Sequence, residues 1–94
     1  MKRVEIITNQ AIAEDILDSL EAHGLAGGYT LIPHIRGRGS KGTRLGNALW
    51  PEENCMFLLY LEAEKTVKIK ELMVNIKKKF PNEGTKYFIS SVDD

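Results

Sequence analysis

Between Arg36 and Gly46 the chain reads RGRGSKGTRLG, with four glycines (Gly37, Gly39, Gly42, Gly46), four cations (Arg36, Arg38, Lys41, Arg44) and no acid. Glycine lets backbone N–H groups approach a ligand closely and visits positive φ without strain. Cations beside bare N–H groups form an anion cradle. The chemistry on offer is therefore phosphate or anion binding, with Arg36, Arg38 and Lys41 as the charges; a solvated surface loop has the same composition. Gly37 to Gly42 matches G-x-G-x-x-G literally, but a dinucleotide site needs a helix opening at the third glycine. Thr43 to Asn47 has no helical periodicity, and no G-K-[S/T] is present for a Walker loop.

The remaining reactive side chains are sparse. His23 sits where a helix should end, and a cation there suits the helix dipole. His34 precedes the glycine-rich stretch and Cys55 follows it, so the two could share a transition metal; Cys55 alone reads as a small buried hydrophobe. Glu52 and Glu53 flank the stretch, but acid–base catalysis needs a second convergent group and a pocket. No nucleophile–base set stands out, and the chain reads as a non-enzyme.

Size and charge narrow the classes further. Ninety-four residues make one domain, 1–94. A domain of this length buries only about two-thirds of its unfolded surface, which favours oligomerisation. With 43% hydrophobic and 28% charged residues the chain is not disordered, and its net charge of zero gives no global pull toward nucleic acid or membrane. A single cysteine forms no internal disulfide, which fits a reducing compartment. No apolar run approaches the ~18 residues of a membrane span, and the opening MKRVEIIT reads as a strand, not a signal peptide. A cytoplasmic location is the expectation.

The elements that must position the glycine-rich stretch follow from periodicity. Lys2 to Thr8 alternates as a strand. Asn9 is an N-cap, and Ile12, Ala13, Ile16, Leu17 and Leu20 mark a helix face. Gly24 is the αL terminator, with Leu25 making the contact of a Schellman motif. A second strand spans about Tyr29 to Arg36, and Pro33 within it predicts an edge or a bulge. Met56 to Glu62 is a third strand whose unbroken apolar run, Phe57 to Leu61, predicts cover on both faces. Helices on one face leave the other for a second copy. Thr66 is expected to cap a second helix that Pro81 ends, and Thr85 to Val92 is the last strand, with Tyr87 and Ile89 on one face and Phe88 on the other. The order β-α-β-β-α-β predicts an α+β ferredoxin-like sandwich: a four-stranded antiparallel sheet with two helices on one face. That topology hosts many functions. An RNA-recognition module needs stacking aromatics on its central strands, and the first strand offers none.

Together these pieces resemble the PII signal-transduction proteins, the trimeric nitrogen regulators, and their shorter PII-like relatives. The resemblance lies in topology along the whole chain, and in sequence at Gly24-Leu25-Ala26-Gly27-Gly28-Tyr29-Thr30 followed by Arg36-Gly37-Arg38-Gly39-Ser40-Lys41-Gly42. It implies a homotrimer with adenine nucleotide (ATP, ADP or AMP) bound in clefts between subunits, against the base of a T-loop here spanning about 36–54. Thr30, Gly37, Arg38 and Gly39 would lie at that cleft, with Gly84 and Lys86 in a second nucleotide-contacting turn. The loop would bind a target protein (an enzyme, transporter or regulator), with Arg44 and Trp50 at that interface. An effector that orders the loop would make it an order–disorder switch. The sequence departs from the family in a shorter T-loop without a tyrosine and a shorter second turn, and it shows no match to the arginine-bearing C-terminal segment. A metal or another small anion is therefore an alternative effector, and the trimeric CutA proteins are a second family of similar architecture.

Overall fold

The structure is a computed structural model that describes residues 1–37 and 53–93. Its strands are β1 (Lys2–Asn9), β2 (Thr30–Ile35), β3 (Asn54–Leu61) and β4 (Lys86–Ser91); its helices are α1 (Ala13–Ala22) and α2 (Thr66–Lys79). The sheet order is β2-β3-β1-β4, with every neighbouring pair antiparallel. This is the expected ferredoxin-like sandwich.

Alternation sets the two faces of the sheet. Val4, Ile6 and Thr8 of β1 are buried, and so are Cys55, Phe57, Leu59 and Leu61 of β3. They meet Ile16 and Leu20 of α1 and Ile69, Leu72, Met73 and Ile76 of α2 in one core. Among the described residues nothing covers the opposite face. On it lie Ile7, Ile32, Met56, Leu58, Tyr60 and Phe88, of which Tyr60 is 51% and Phe88 54% exposed. The apolar run of β3 thus has one buried side and one that no described residue covers, where cover on both was expected.

The helix ends follow local chemistry. At the end of α1, Gly24 takes φ +70. Leu25 N–H donates to the Leu20 carbonyl at 2.8 Å and Gly24 N–H to that of Glu21 at 3.0 Å, the two bonds of a Schellman motif. His23 caps the same end, its Nδ1–H donating to the Ser19 carbonyl at 2.8 Å. Two expectations shift. Asn9 caps a 3-10 turn, Gln10–Ile12, that precedes α1, its Oδ1 accepting from Ala11 N–H at 2.9 Å. Thr66 is not a cap. A 3-10 turn, Ala63–Lys65, precedes α2, so the Thr66 hydroxyl points back and donates to the Ala63 carbonyl at 2.7 Å.

One buried polar pair ties β1 to the turn before β4. The hydroxyls of Thr8 and Thr85 lie 2.7 Å apart, and both residues are buried. Thr8→Val strands the Thr85 hydroxyl and is expected to cost ~1–3 kcal/mol, whereas replacing both threonines with valine is nearly neutral. Urea unfolding of the two single variants and the double checks this, because the coupling between adjacent groups appears as non-additivity.

Candidate functional site

The antiparallel register gathers the candidate residues at one end of the sheet. There β1 and β2 finish while β3 and β4 begin: Asn9 pairs with Asn54, Ile35 with Asn54, and Lys86 with Ile7. Arg36 and Gly37 leave from this end and Glu53 returns to it. A Cβ placed on Gly37 would meet only Asn54 Nδ2, at 4.0 Å, so outgoing and returning chain run close together. The turn over residues 81–85 reaches the same end. Gly84 there has φ +64, a conformation glycine adopts freely.

Three elements are tied at the neck of this segment. His34 is the one described non-glycine residue at positive φ, +55. The β2–β3 register shifts between Ile32 and Ile35, which places the expected bulge beside Pro33 on an edge strand. Left-handed backbone costs an ordinary residue ~1–2 kcal/mol, and here two contacts hold it. His34 N–H donates to Gln10 Oε1 at 3.2 Å, and His34 Nδ1 meets Glu53 Oε2. Gln10 N–H donates in turn to the Glu53 carbonyl at 2.8 Å. Sequence reading placed Glu53 without a partner and passed over Gln10. Both contacts join residues 19 and 24 positions apart, beyond the reach of local pattern.

Of the residues expected at the ligand cleft, Arg36, Gly37, Gly84 and Lys86 are exposed and share this end of the sheet. Thr30 is exposed too, but it pairs with Leu58, farther along the edge strand. Arg38, Gly39, Lys41, Arg44 and Trp50 lie outside the described residues. The two metal candidates have different surroundings. Cys55 is fully buried on the core face, and burial pushes its thiol above the ordinary value; a thiol that keeps its proton is a poor ligand. His34 is exposed and turned to Glu53 instead. Among the described residues no group of three or more His, Cys, Asp or Glu could hold a metal ion. Nor does the open face carry a pair of stacking rings on the central strands: among their described residues it presents one aromatic, Tyr60.

Cavity size bears on how a ligand could bind. A hollow of about 170 Å³ beside Gln10 is lined by Ala13, Glu14, Leu17, Leu31 and Phe57, and one of about 220 Å³ lies between α1 and α2. Both fall below the ~300–1,000 Å³ of small-molecule pockets. Neither of these two hollows is therefore large enough to enclose a nucleotide.

The profile of the family described as nitrogen regulatory protein P-II matches residues 1–94. No individually curated protein matches the sequence. Among solved structures, the chain is similar to CPII, a nitrogen regulatory PII-like protein from Thiomonas intermedia, bound to ADP, AMP and bicarbonate. The TM-score is 0.72 at 22% identity, covering 97% of this chain and 84% of that one. It is also similar to a PII-like signaling protein from Thermus thermophilus, with a TM-score of 0.65 at 24% identity, covering 97% of this chain and 85% of that one. At these identities the structural likeness speaks to the fold, and the family match carries the assignment. Among the described residues no helix is long and apolar enough to cross a membrane.

Proposed function

Because the chain belongs to the nitrogen regulatory protein P-II family, we propose that it is a homotrimeric cytoplasmic regulator, one that binds an adenine nucleotide or another small anion in clefts between subunits and acts on a target protein through the segment 36–54. The observation that supports this reading is that Arg36 and Gly37, beyond edge strand β2, and Gly84 and Lys86, at edge strand β4, are exposed at the same end of the sheet. Cations and glycine backbone there face solvent together, the chemistry that receives phosphate or carboxylate groups. The small hollows of a single subunit favour a cleft completed by a neighbour. The uncovered apolar face of the sheet supplies the surface for that neighbour. In this reading Arg38 and Lys41 hold the anion, Gly37 and Gly39 let the backbone approach it, and Arg44 and Trp50 meet the target protein.

Calorimetric titration with ATP, ADP and AMP, on protein whose mass is fixed by light scattering, tests the proposal. The expected result is a trimer that binds at least one of the three in the micromolar range. Arg38→Ala should weaken that binding tenfold or more, since a charge-assisted hydrogen bond is worth ~1.5–3 kcal/mol. A trimer that binds none of them would remove nucleotide as the effector, and a monomer would remove the shared cleft.

A further inference from the structure

We propose that Arg3 and Glu5 form an ion-pair network between copies of this chain, and that this network sets how the subunits are placed against one another. The inference rests on the reading that the open sheet face is the homomeric interface, and goes beyond it by naming the contact that orients the copies.

Arg3 and Glu5 lie two residues apart on the central strand β1, on the face opposite the helices. Apart from Lys86, which stands opposite Ile7 one step farther along the same face, the described residues around them on β1, β3 and β4 are apolar or uncharged. Arg3 stands opposite Tyr60 and Ser90, and Glu5 opposite Leu58 and Phe88. Arg3 Nη2 lies 2.9 Å from Glu5 Oε2, with the side chains 40% and 28% exposed. This contact leaves both groups incompletely used. Arg3 Nε is buried with no hydrogen-bond partner. A guanidinium carries five N–H donors in a fixed fork, and a carboxylate accepts at two oxygens with about four lone-pair positions.

Covering this face with apolar surface alone would leave those groups dry, which is costly for an ion pair. Glu5 is the sole carboxylate that β1, β3 and β4 place on the face among the described residues. A second copy brings the same face, and hence another Arg3 and another Glu5. The face is self-complementary in charge: spare donors on one copy meet spare acceptors on the next. Apolar contacts such as Leu58 and Phe88 are non-directional. A planar guanidinium on a carboxylate has a defined geometry, so the pair restricts which arrangement of copies closes.

The test uses the full chain carrying Arg3→Glu or Glu5→Arg, with mass measured by sedimentation equilibrium and folding by circular dichroism. The first variant leaves two acids on the face, and the second leaves no acid and a second arginine beside Arg3 and Lys86. Each alone is expected to assemble at least tenfold more weakly than the unmodified protein. An equimolar mixture is expected to assemble again, into particles containing both variants. Mixing cannot restore a pair within one chain, so recovery reports contacts between chains. The double variant R3E/E5R should assemble by itself, and this keeps the test decisive should a single variant fold poorly. If the single variants assemble as the unmodified protein does, or if the mixture does not recover while the single variants fold, or if the double variant does not recover, the inference is wrong while the homomeric reading stands. If the unmodified protein is a monomer, the homomeric reading fails, and the inference with it.

Discussion

Leu58→Glu is expected to yield a folded chain that no longer assembles. Leu58 sits on the open face of β3, between Thr30 of β2 and Glu5 of β1 in the register. The substitution removes an apolar side chain whose burial is worth ~1.5–3 kcal/mol. It also sets a second carboxylate directly across from Glu5, and like charges opposite one another in a sheet repel. In a closed homomer every subunit carries the change, so the effect multiplies with the number of interfaces. Light scattering should report the mass of one chain at micromolar concentration, with circular dichroism unchanged. An assembly of unaltered mass would show that the open face is not where copies meet.

Moving one residue along the strand should give the opposite failure. Phe57 is completely buried, and it pairs with Ile6 of β1 on one side and Leu31 of β2 on the other. The Tyr29 ring packs on it at 5.9 Å between centroids, tilted by 49°. Removing a buried phenyl ring costs ~3–5 kcal/mol through lost transfer energy and the cavity left behind. A small domain has only ~5–15 kcal/mol in total. At ~4–8 °C per kcal/mol, Phe57→Ala should lower the Tm by more than ~12 °C. A drop of only a few degrees would mean that the site collapses around the smaller side chain, and that Phe57 is not central to the packing. The pair of variants separates the two faces of one strand: Phe57→Ala tests what holds the subunit together, and Leu58→Glu tests whether the next side chain holds copies to each other.

Much of this was legible in the sequence because it is local. Alternation from Lys2 to Thr8 located β1, and Gly24 followed by Leu25 marked a helix end that the Schellman bonds then fill. Pro33 announced a bulge on an edge strand, since it cannot donate to a ladder. The unbroken apolar run of β3 predicted cover on both faces, and the described residues of one chain cover one of them. Thr66 misled because an N-cap and a residue following a 3-10 turn have the same composition. They differ in whether the hydroxyl faces a free N–H or a carbonyl, which the turn before it decides. The cluster of Gln10, His34 and Glu53 escaped for a different reason. Each residue is ordinary in its own neighbourhood, and the positive φ of His34 is held by partners that only the tertiary fold brings near. The Arg3–Glu5 pair escaped likewise, because an i, i+2 pair of opposite charge on a strand reads as a solvated face until the register places it among apolar side chains.

The tie between Gln10, His34 and Glu53 has a consequence for how this protein can change over generations. Departing and returning chain are pinned at the neck by residues that belong to the sheet and the first helical turn. The core and the ladders of the described residues lie below the neck, and replacing the residues between Gly37 and Glu53 is expected to leave them in place. Loop-closure entropy grows slowly with length, and doubling an insert costs only about 0.6 kcal/mol. On the proposed function the domain would work as a socket: drift and selection could exchange what is plugged into it, and with that the partner it addresses, while the socket itself keeps its shape.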